Sequence, residues 1–97
     1  MKNAYILSPT AKRDMAEIGA YTVHHWGIER AEKYVLDIIS AIQLVSENPG
    51  LGRSCDAVRA GYRKYPAGSH IFFYRLIDNG IDVVRVLHQN MNPVNHL

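Results

Sequence analysis

The sequence predicts a single α+β domain: an N-terminal strand, then an antiparallel helical hairpin packed on a small antiparallel β-sheet, in the order β-α-α-β-β-β. Three observations carry this. Residues 9–25 and 28–47 each repeat apolar side chains at helical spacing, with only Trp26-Gly27 between them. The chain beyond Gly61 is rich in aromatic and β-branched residues, and Asn79-Gly80 divides two such runs as a hairpin turn does. The length of 97 residues, with 47% hydrophobic and 21% charged residues, is that of one ordinary globular unit, so residues 1–97 are expected to share one core.

Ala4-Tyr5-Ile6-Leu7 is short, apolar and stopped by Ser8-Pro9, which reads as a buried first strand. Ser8 suits a helix N-cap and Pro9 the first helical position, while Asp14 and Glu17 lie in the early turns. Ala11, Met15, Ile18 and Thr22 lay one stripe along this helix. Gly19 interrupts it at a cost of about 1 kcal/mol relative to alanine, which predicts a close backbone approach by the neighbouring helix. In the second helix Ala31, Tyr34, Val35, Ile38, Ile42 and Val45 mark the buried face, and Glu29 with Lys33 is spaced as an i,i+4 ion pair. Asn48-Pro49-Gly50 ends it, with Asn48 expected in a left-handed C-terminal conformation.

Residues 50–60 form an irregular basic loop. Tyr62–Tyr65 is a short strand candidate ended by Pro66-Ala67-Gly68, and His70–Ile77 and Ile81–Leu87 form a hairpin around a type I′ turn at Asn79-Gly80. That turn pairs Ile77 with Asp82, Arg75 with Val84, Phe73 with Val86 and Ile71 with His88. Neither face of the hairpin is cleanly polar, so both are expected to be covered. The helices cover one. With no chain left over for the other, a protein partner is expected there. With no helix between them, the last three strands should form an antiparallel meander, and the first strand must join the sheet elsewhere.

Charge is unevenly placed. Residues 1–48 hold five Lys/Arg against six Asp/Glu, whereas residues 49–97 hold six against three, with Arg53, Arg59, Arg63 and Lys64 facing only Asp56. Cys55 is alone, so neither an intrachain disulfide nor a zinc site is expected, and the early residues lack the pattern of a secretion signal or membrane span. A cytoplasmic location is the expectation. No nucleophile-elbow or phosphate-loop motif occurs, and no cofactor or metal is expected; His24 and His25 read as surface residues, while His70, His88 and His96 come from separate segments without Cys or acidic ligands. One enzymatic option survives: cleavage of RNA by its own 2′-OH, for which Arg63, Lys64, Arg75, Arg85 and His88 offer a cation and an acid. No carboxylate lies in sequence where it would be the base, since Asp78 and Asp82 flank the hairpin turn and Asp56 lies in the basic loop.

Several strings in register resemble the ParE branch of the RelE/ParE toxin family: Tyr5-x-Leu7-Ser8 with Ala11 and Asp14; Trp26-Gly27 with Ala31 and Tyr34; Asn48-Pro49-x-x-Gly52; Arg59-x-Gly61-Tyr62-Arg63-x-Tyr65; Gly68-Ser69-His70 with Tyr74; and Ile81-x-Val83-x-Arg85-Val86-Leu87-His88 with Met91. Together they span almost the whole chain. The resemblance implies the toxin of a type II toxin-antitoxin module that inhibits DNA gyrase without catalysis and is silenced by a ParD-like antitoxin. That antitoxin orders on binding, laying an amphipathic helix beside the first helix, and operator DNA is contacted only through it. The alternative within the family is a RelE-type, ribosome-dependent mRNA endoribonuclease, for which Arg63, Arg85 and His88 would be the catalytic residues. Against it, Ile71 stands where RNA-cleaving relatives tend to carry an arginine after the histidine, and Gln89-Asn90-Met91-Asn92 follow His88 where those relatives have an aromatic or basic end. The resemblance implies gyrase contacts at Arg59, Arg63, Lys64, Tyr65, His88, Met91 and Leu97, and antitoxin contacts at Ile18, Tyr21, Tyr62, Phe72, Tyr74, Arg75 and Arg85.

Overall fold

Ser8 turns the chain from strand to helix in the computed structural model, which describes residues 4–97. Strand β1 (Ala4–Leu7) ends there, and the Ser8 hydroxyl accepts the Ala11 N–H at 3.0 Å to cap helix α1 (Pro9–Trp26). The same hydroxyl donates to the Val84 carbonyl at 2.9 Å, so the cap also pins the helix start to the sheet. Gly27, at φ +90°, is the one-residue joint to helix α2 (Ile28–Glu47), and the helices fold back on each other as expected. Both apolar stripes are buried where the spacing puts them: Ala11, Met15, Ile18 and Thr22 on α1, and Ala31, Ile38, Ile42 and Val45 on α2.

The sheet has five strands in the order β1-β5-β4-β3-β2, from β2 (Arg53–Ser54), β3 (Tyr62–Ala67), β4 (His70–Ile77) and β5 (Gly80–His88). The last three strands are the expected antiparallel meander, but β1 runs parallel to β5, from Ala4 opposite Gly80 to Leu7 opposite Val83, so the sheet is mixed. The connection from β1 to β5 runs through both helices and the other three strands, long enough for parallel pairing, which a tight turn cannot make. Ser54 lies within the loop read as irregular, yet Arg53 and Ser54 pair with Lys64 and Arg63 as a short edge strand.

The hairpin turns one residue earlier than expected. Ile77 pairs with Gly80 and Arg75 with Asp82, and a bulge at Phe73/Tyr74 then brings Phe73 opposite Arg85 and Ile71 opposite Leu87. Asp78 and Asn79 both have negative φ, which excludes a type I′ turn. The glycine serves another purpose. A Cβ on Gly80 would lie 1.6 Å from the Ala4 carbonyl oxygen, because β1 pairs alongside β5 with Ala4 opposite Gly80. Two local expectations also change. Lys33 pairs with Asp37 at 3.3 Å rather than with Glu29, and Asn48 sits at φ −138°, ψ 71°, held out of helical space by Pro49 rather than turned left-handed.

The main core lies between the helices and one sheet face, where Phe72, Tyr74, Ile81, Val83 and Val86 meet Met15, Ile18, Ile38 and Ile42. The opposite face corrects the expectation of a bare apolar surface. Phe73 and Leu87 are only 2% exposed there, covered with Cys55 by the 55–61 loop, Tyr62 and the C-terminal Leu97. The chain closes that face itself.

Candidate functional site

Strand β1 stops opposite Val83, which would leave the edge of β5 open beyond that point. Asp14, two turns into α1, closes it. Its Oδ2 accepts the Val86 N–H at 2.9 Å and the Arg85 Nε–H at 2.8 Å, and its Oδ1 accepts the Arg85 Nη2 at 3.0 Å. Arg85 Nη1 donates to the His96 carbonyl at 3.0 Å, so one guanidinium joins α1, β5 and the C-terminal segment. The bond to Asp14 raises the Arg85 pKa above the ordinary guanidinium value against the opposing effect of burial. Asp14 is thus a buried clamp, not merely an acidic residue in an early helical turn.

Beside this clamp runs a groove along α1, made of two adjoining hollows of about 300 and 410 Å³ that share Tyr21, Thr22, His70 and His88. Glu17, Arg85 and Met91 line one end; Trp26 and the α2 residues Arg30, Lys33 and Tyr34 line the other. The strand register sets His70 directly opposite His88, with ring centres 5.4 Å apart and planes nearly perpendicular. Tyr34 reaches across from α2: its hydroxyl lies 2.6 Å from His70 Nδ1 and accepts the Ser69 N–H at 2.9 Å. His88 Nδ1 accepts the Asn90 N–H at 3.2 Å. Burial first, and the neighbouring His88 second, hold the His70 pKa below the ordinary histidine value. Trp26 and Tyr21, at the rim, are 62% and 63% exposed, an unusual degree for such large side chains.

The residues named from sequence are distributed over three places. Tyr21, Arg85, His88 and Met91 line the groove, and Ile18 forms part of its buried floor. Phe72 and Tyr74 are wholly buried beneath the helices and are core residues, inaccessible to a partner. Tyr74 instead donates its hydroxyl to the Pro49 carbonyl at 2.7 Å and accepts the Gly52 N–H at 3.0 Å, locking the end of α2 to the sheet. Arg75 is exposed and pairs with Asp82 at 3.0 Å. The remaining residues lie on and around β3, on both faces of the sheet, and at the C-terminus. Arg63 donates to the Gly52 carbonyl at 2.5 Å, and exposed Arg59 stacks on Tyr62 at 5.2 Å. Lys64 and Tyr65 line a shallow hollow with Arg53, Tyr65 also packing on Phe72, while Leu97 covers the second core cluster.

A ribonuclease built from Arg63, Arg85 and His88 is not assembled by this geometry. Arg63 pairs with Tyr74 and His88 with His70, four residues further along β4, which at ~3.3 Å per residue sets them roughly 13 Å apart along the strands. Arg85, which lines the groove with His88, is already held by Asp14. Sequence reasoning missed Tyr34 and His70 as a connected pair, since no spacing rule links a helix residue to a strand residue 36 positions away. His70 and Tyr34 did stand within the quoted strings, although their contact with one another had no sequence signal.

Residues 5–93 match the family described as the ParE toxin of the type II toxin-antitoxin system parDE. The chain is 48% identical over 93 residues to "Toxin ParE1" of Mycobacterium tuberculosis, covering 95% of each chain. It is 41% identical over 93 residues to "Toxin ParE1" of Caulobacter vibrioides, covering 96% of each. Its fold is similar to that in the "Chromosomal ParDE TA system from P. aeruginosa", with a TM-score of 0.77, 19% identity, and 90% of this chain and 96% of that one covered. It is also similar to that in the "YoeB-YefM complex from Staphylococcus aureus", with a TM-score of 0.59, 18% identity, and coverage of 91% and 98%. The strand-helix-helix-sheet order, the near-complete match and the relatives agree: this chain belongs to the ParE toxin family of type II toxin-antitoxin systems.

Proposed function

We propose that this chain arrests growth by binding DNA gyrase rather than by catalysis, and that a ParD-like antitoxin silences it by laying an amphipathic helix in the groove beside α1. The observation that supports a binding role most directly is the engagement of the two arginines nearest the candidate chemistry. Arg85 is neutralised by the Asp14 carboxylate, and Arg63 is drawn to the Gly52 carbonyl roughly 13 Å along the strands from His88, so the two do not converge with His88 on one phosphorane. The groove supports the antitoxin reading by its shape: α1 supplies a wall with aromatic residues at its rim, and its hollows are lined mainly by apolar atoms. For gyrase, the exposed cations Arg53 and Arg59, with half-buried Lys64 paired across the strands from Arg53, offer a surface for acidic groups.

Purified toxin is expected to inhibit gyrase supercoiling and to accumulate cleaved DNA, with equimolar antitoxin restoring supercoiling. Replacing Arg59 and Lys64 together by glutamate should raise the inhibitory concentration about tenfold, as reversal of interface charges does. Unchanged supercoiling at a large molar excess, with new codon-positioned mRNA ends after induction, would replace this reading by the ribonuclease one.

A further inference from the structure

The ring nitrogens of His70 and His88 are constrained by their partners. The Asn90 N–H can only donate, so His88 Nδ1 is an acceptor and the neutral ring carries its proton on Nε2. The Tyr34 oxygen accepts the Ser69 N–H and shares one further hydrogen with His70 Nδ1: with the hydroxyl donating, the neutral His70 ring carries its proton on Nε2, and in the protonated ring Nδ1–H donates to that oxygen instead. In that arrangement both rings offer Nε2–H donors, and a further proton goes to His70 Nδ1, where the Tyr34 oxygen can accept it, rather than to His88 Nδ1, which faces the Asn90 N–H. A metal ion would need a bare ring nitrogen on each, and among the described residues no group of three or more His, Cys, Asp or Glu gathers to hold one. An anionic acceptor fits instead.

The charged surroundings favour the same class of ligand. On α2, Arg30 and Lys33 line the hollow, with Asp37 paired to Lys33. On α1, Asp14 is neutralised by Arg85, and Glu17 lies towards the opposite end with Met91. The flanking segments add Ser69 from the β3–β4 turn and Gln89 to Met91 after β5, none of them charged. We propose that the His70–His88 pair, in a hollow also lined by Arg30 and Lys33, is a carboxylate-accepting pocket that takes an Asp or Glu side chain of the antitoxin segment, so that the toxin-antitoxin grip tightens as the pH falls.

This rests on the reading that the groove receives the antitoxin, and it adds the chemistry of the anchor and its regulation. The sign follows from linkage. In the free toxin, burial and His88 keep His70 neutral at physiological pH. A carboxylate set against the pair favours the protonated form and raises the histidine pKa in the complex, so binding takes up protons. Affinity then rises as the pH falls through the bound-state pKa and levels off below the free-state value, until the partner carboxylate itself protonates near pH ~4.

The test is calorimetric titration of the full-length toxin with the full-length antitoxin encoded beside it, from pH ~8 to ~5.5, in buffers of different ionisation enthalpy. The expected result is a Kd about tenfold lower at the acid end, the equivalent of one pKa unit, with net proton uptake on binding. A toxin carrying His70→Gln and His88→Gln should lose that pH dependence. Lys33→Glu, a change at an exposed site that leaves the core untouched, should weaken binding severalfold at every pH and more at low salt. If the double variant does not fold, wild-type proton uptake and the Lys33 variant decide. Binding that is independent of pH, that weakens on acidification, or that keeps its pH dependence without the histidines would overturn the pocket while leaving the antitoxin reading intact. Absence of binding at any pH would overturn the antitoxin reading, and this inference with it.

Discussion

Asp14 shows how much structure one side chain can hold. It accepts a backbone N–H and two donors of Arg85, Nε and Nη2, while only 7% exposed, and the one other carboxylate acting on Arg85 among the described residues is Glu17, on the same helix as Asp14. Replacing it by alanine would leave a partly buried guanidinium and a buried N–H without their acceptor. The expected loss is about 3 kcal/mol, because removing one partner of a buried pair leaves the other charge desolvated. Lys33–Asp37 is the internal control: its side chains are 77% and 63% exposed, and Asp37→Ala should change stability by less than about 0.5 kcal/mol. Urea unfolding midpoints at constant slope separate the two cases. The sequence marked Asp14 only as an acidic residue early in a helix. Its partners lie 71 and 72 positions away, and nothing local to residue 14 announces them.

At the scale of elements, the helices were legible and the turns were not, for a physical reason. A helix is specified by a repeat within itself, and the 3.6-residue spacing placed Ala11, Met15, Ile18, Ile38, Ile42 and Val45 in the core without knowledge of the sheet. A turn residue answers to whatever crosses it. Gly80 reads as half of a hairpin turn, yet it is fixed by Ala4, paired beside it from the other end of the chain. Gly19 reads as a packing glycine, yet a Cβ there would lie 3.8 Å from Val35 Cγ2, an ordinary contact. The two glycines should therefore respond oppositely to alanine. Gly19→Ala is expected to stabilise the chain by up to about 1 kcal/mol through helix propensity. Gly80→Ala, whose Cβ would overlap the Ala4 carbonyl, must push β1 off β5 and should lower the melting temperature sharply. The groove inherits the same division: its α1 wall followed from periodicity, whereas the His70–His88 pairing needed the strand register, and the bulge at Phe73/Tyr74 shifted that register from the simple hairpin reading.

Across the whole molecule, the two faces of the sheet are closed by different means, and the weaker closure lies at the C-terminus. The helices cover one face with a continuous core, while the other depends on a small cluster around Phe73 and Leu87, roofed by the 55–61 loop and by Leu97. The C-terminal segment is tied down by the bond from Arg85 to the His96 carbonyl and by a short helical turn at Pro93–Asn95. Cys55 reports on that roof. It is 6% exposed, and burial raises its thiol pKa above the ordinary value despite the nearby Lys64 and Arg63. In the intact chain it should therefore react slowly with a thiol reagent at pH ~8, since only the thiolate attacks. Removing residues 93–97 takes away Leu97 and the His96 carbonyl together. The helical face, the groove and the Asp14–Arg85 contact remain, so the shortened chain should still fold, with Cys55 labelling faster by an order of magnitude or so as its thiol regains water. Equal labelling rates in the two chains would mean that the 55–61 loop alone seals the face and that Leu97 adds nothing to its protection.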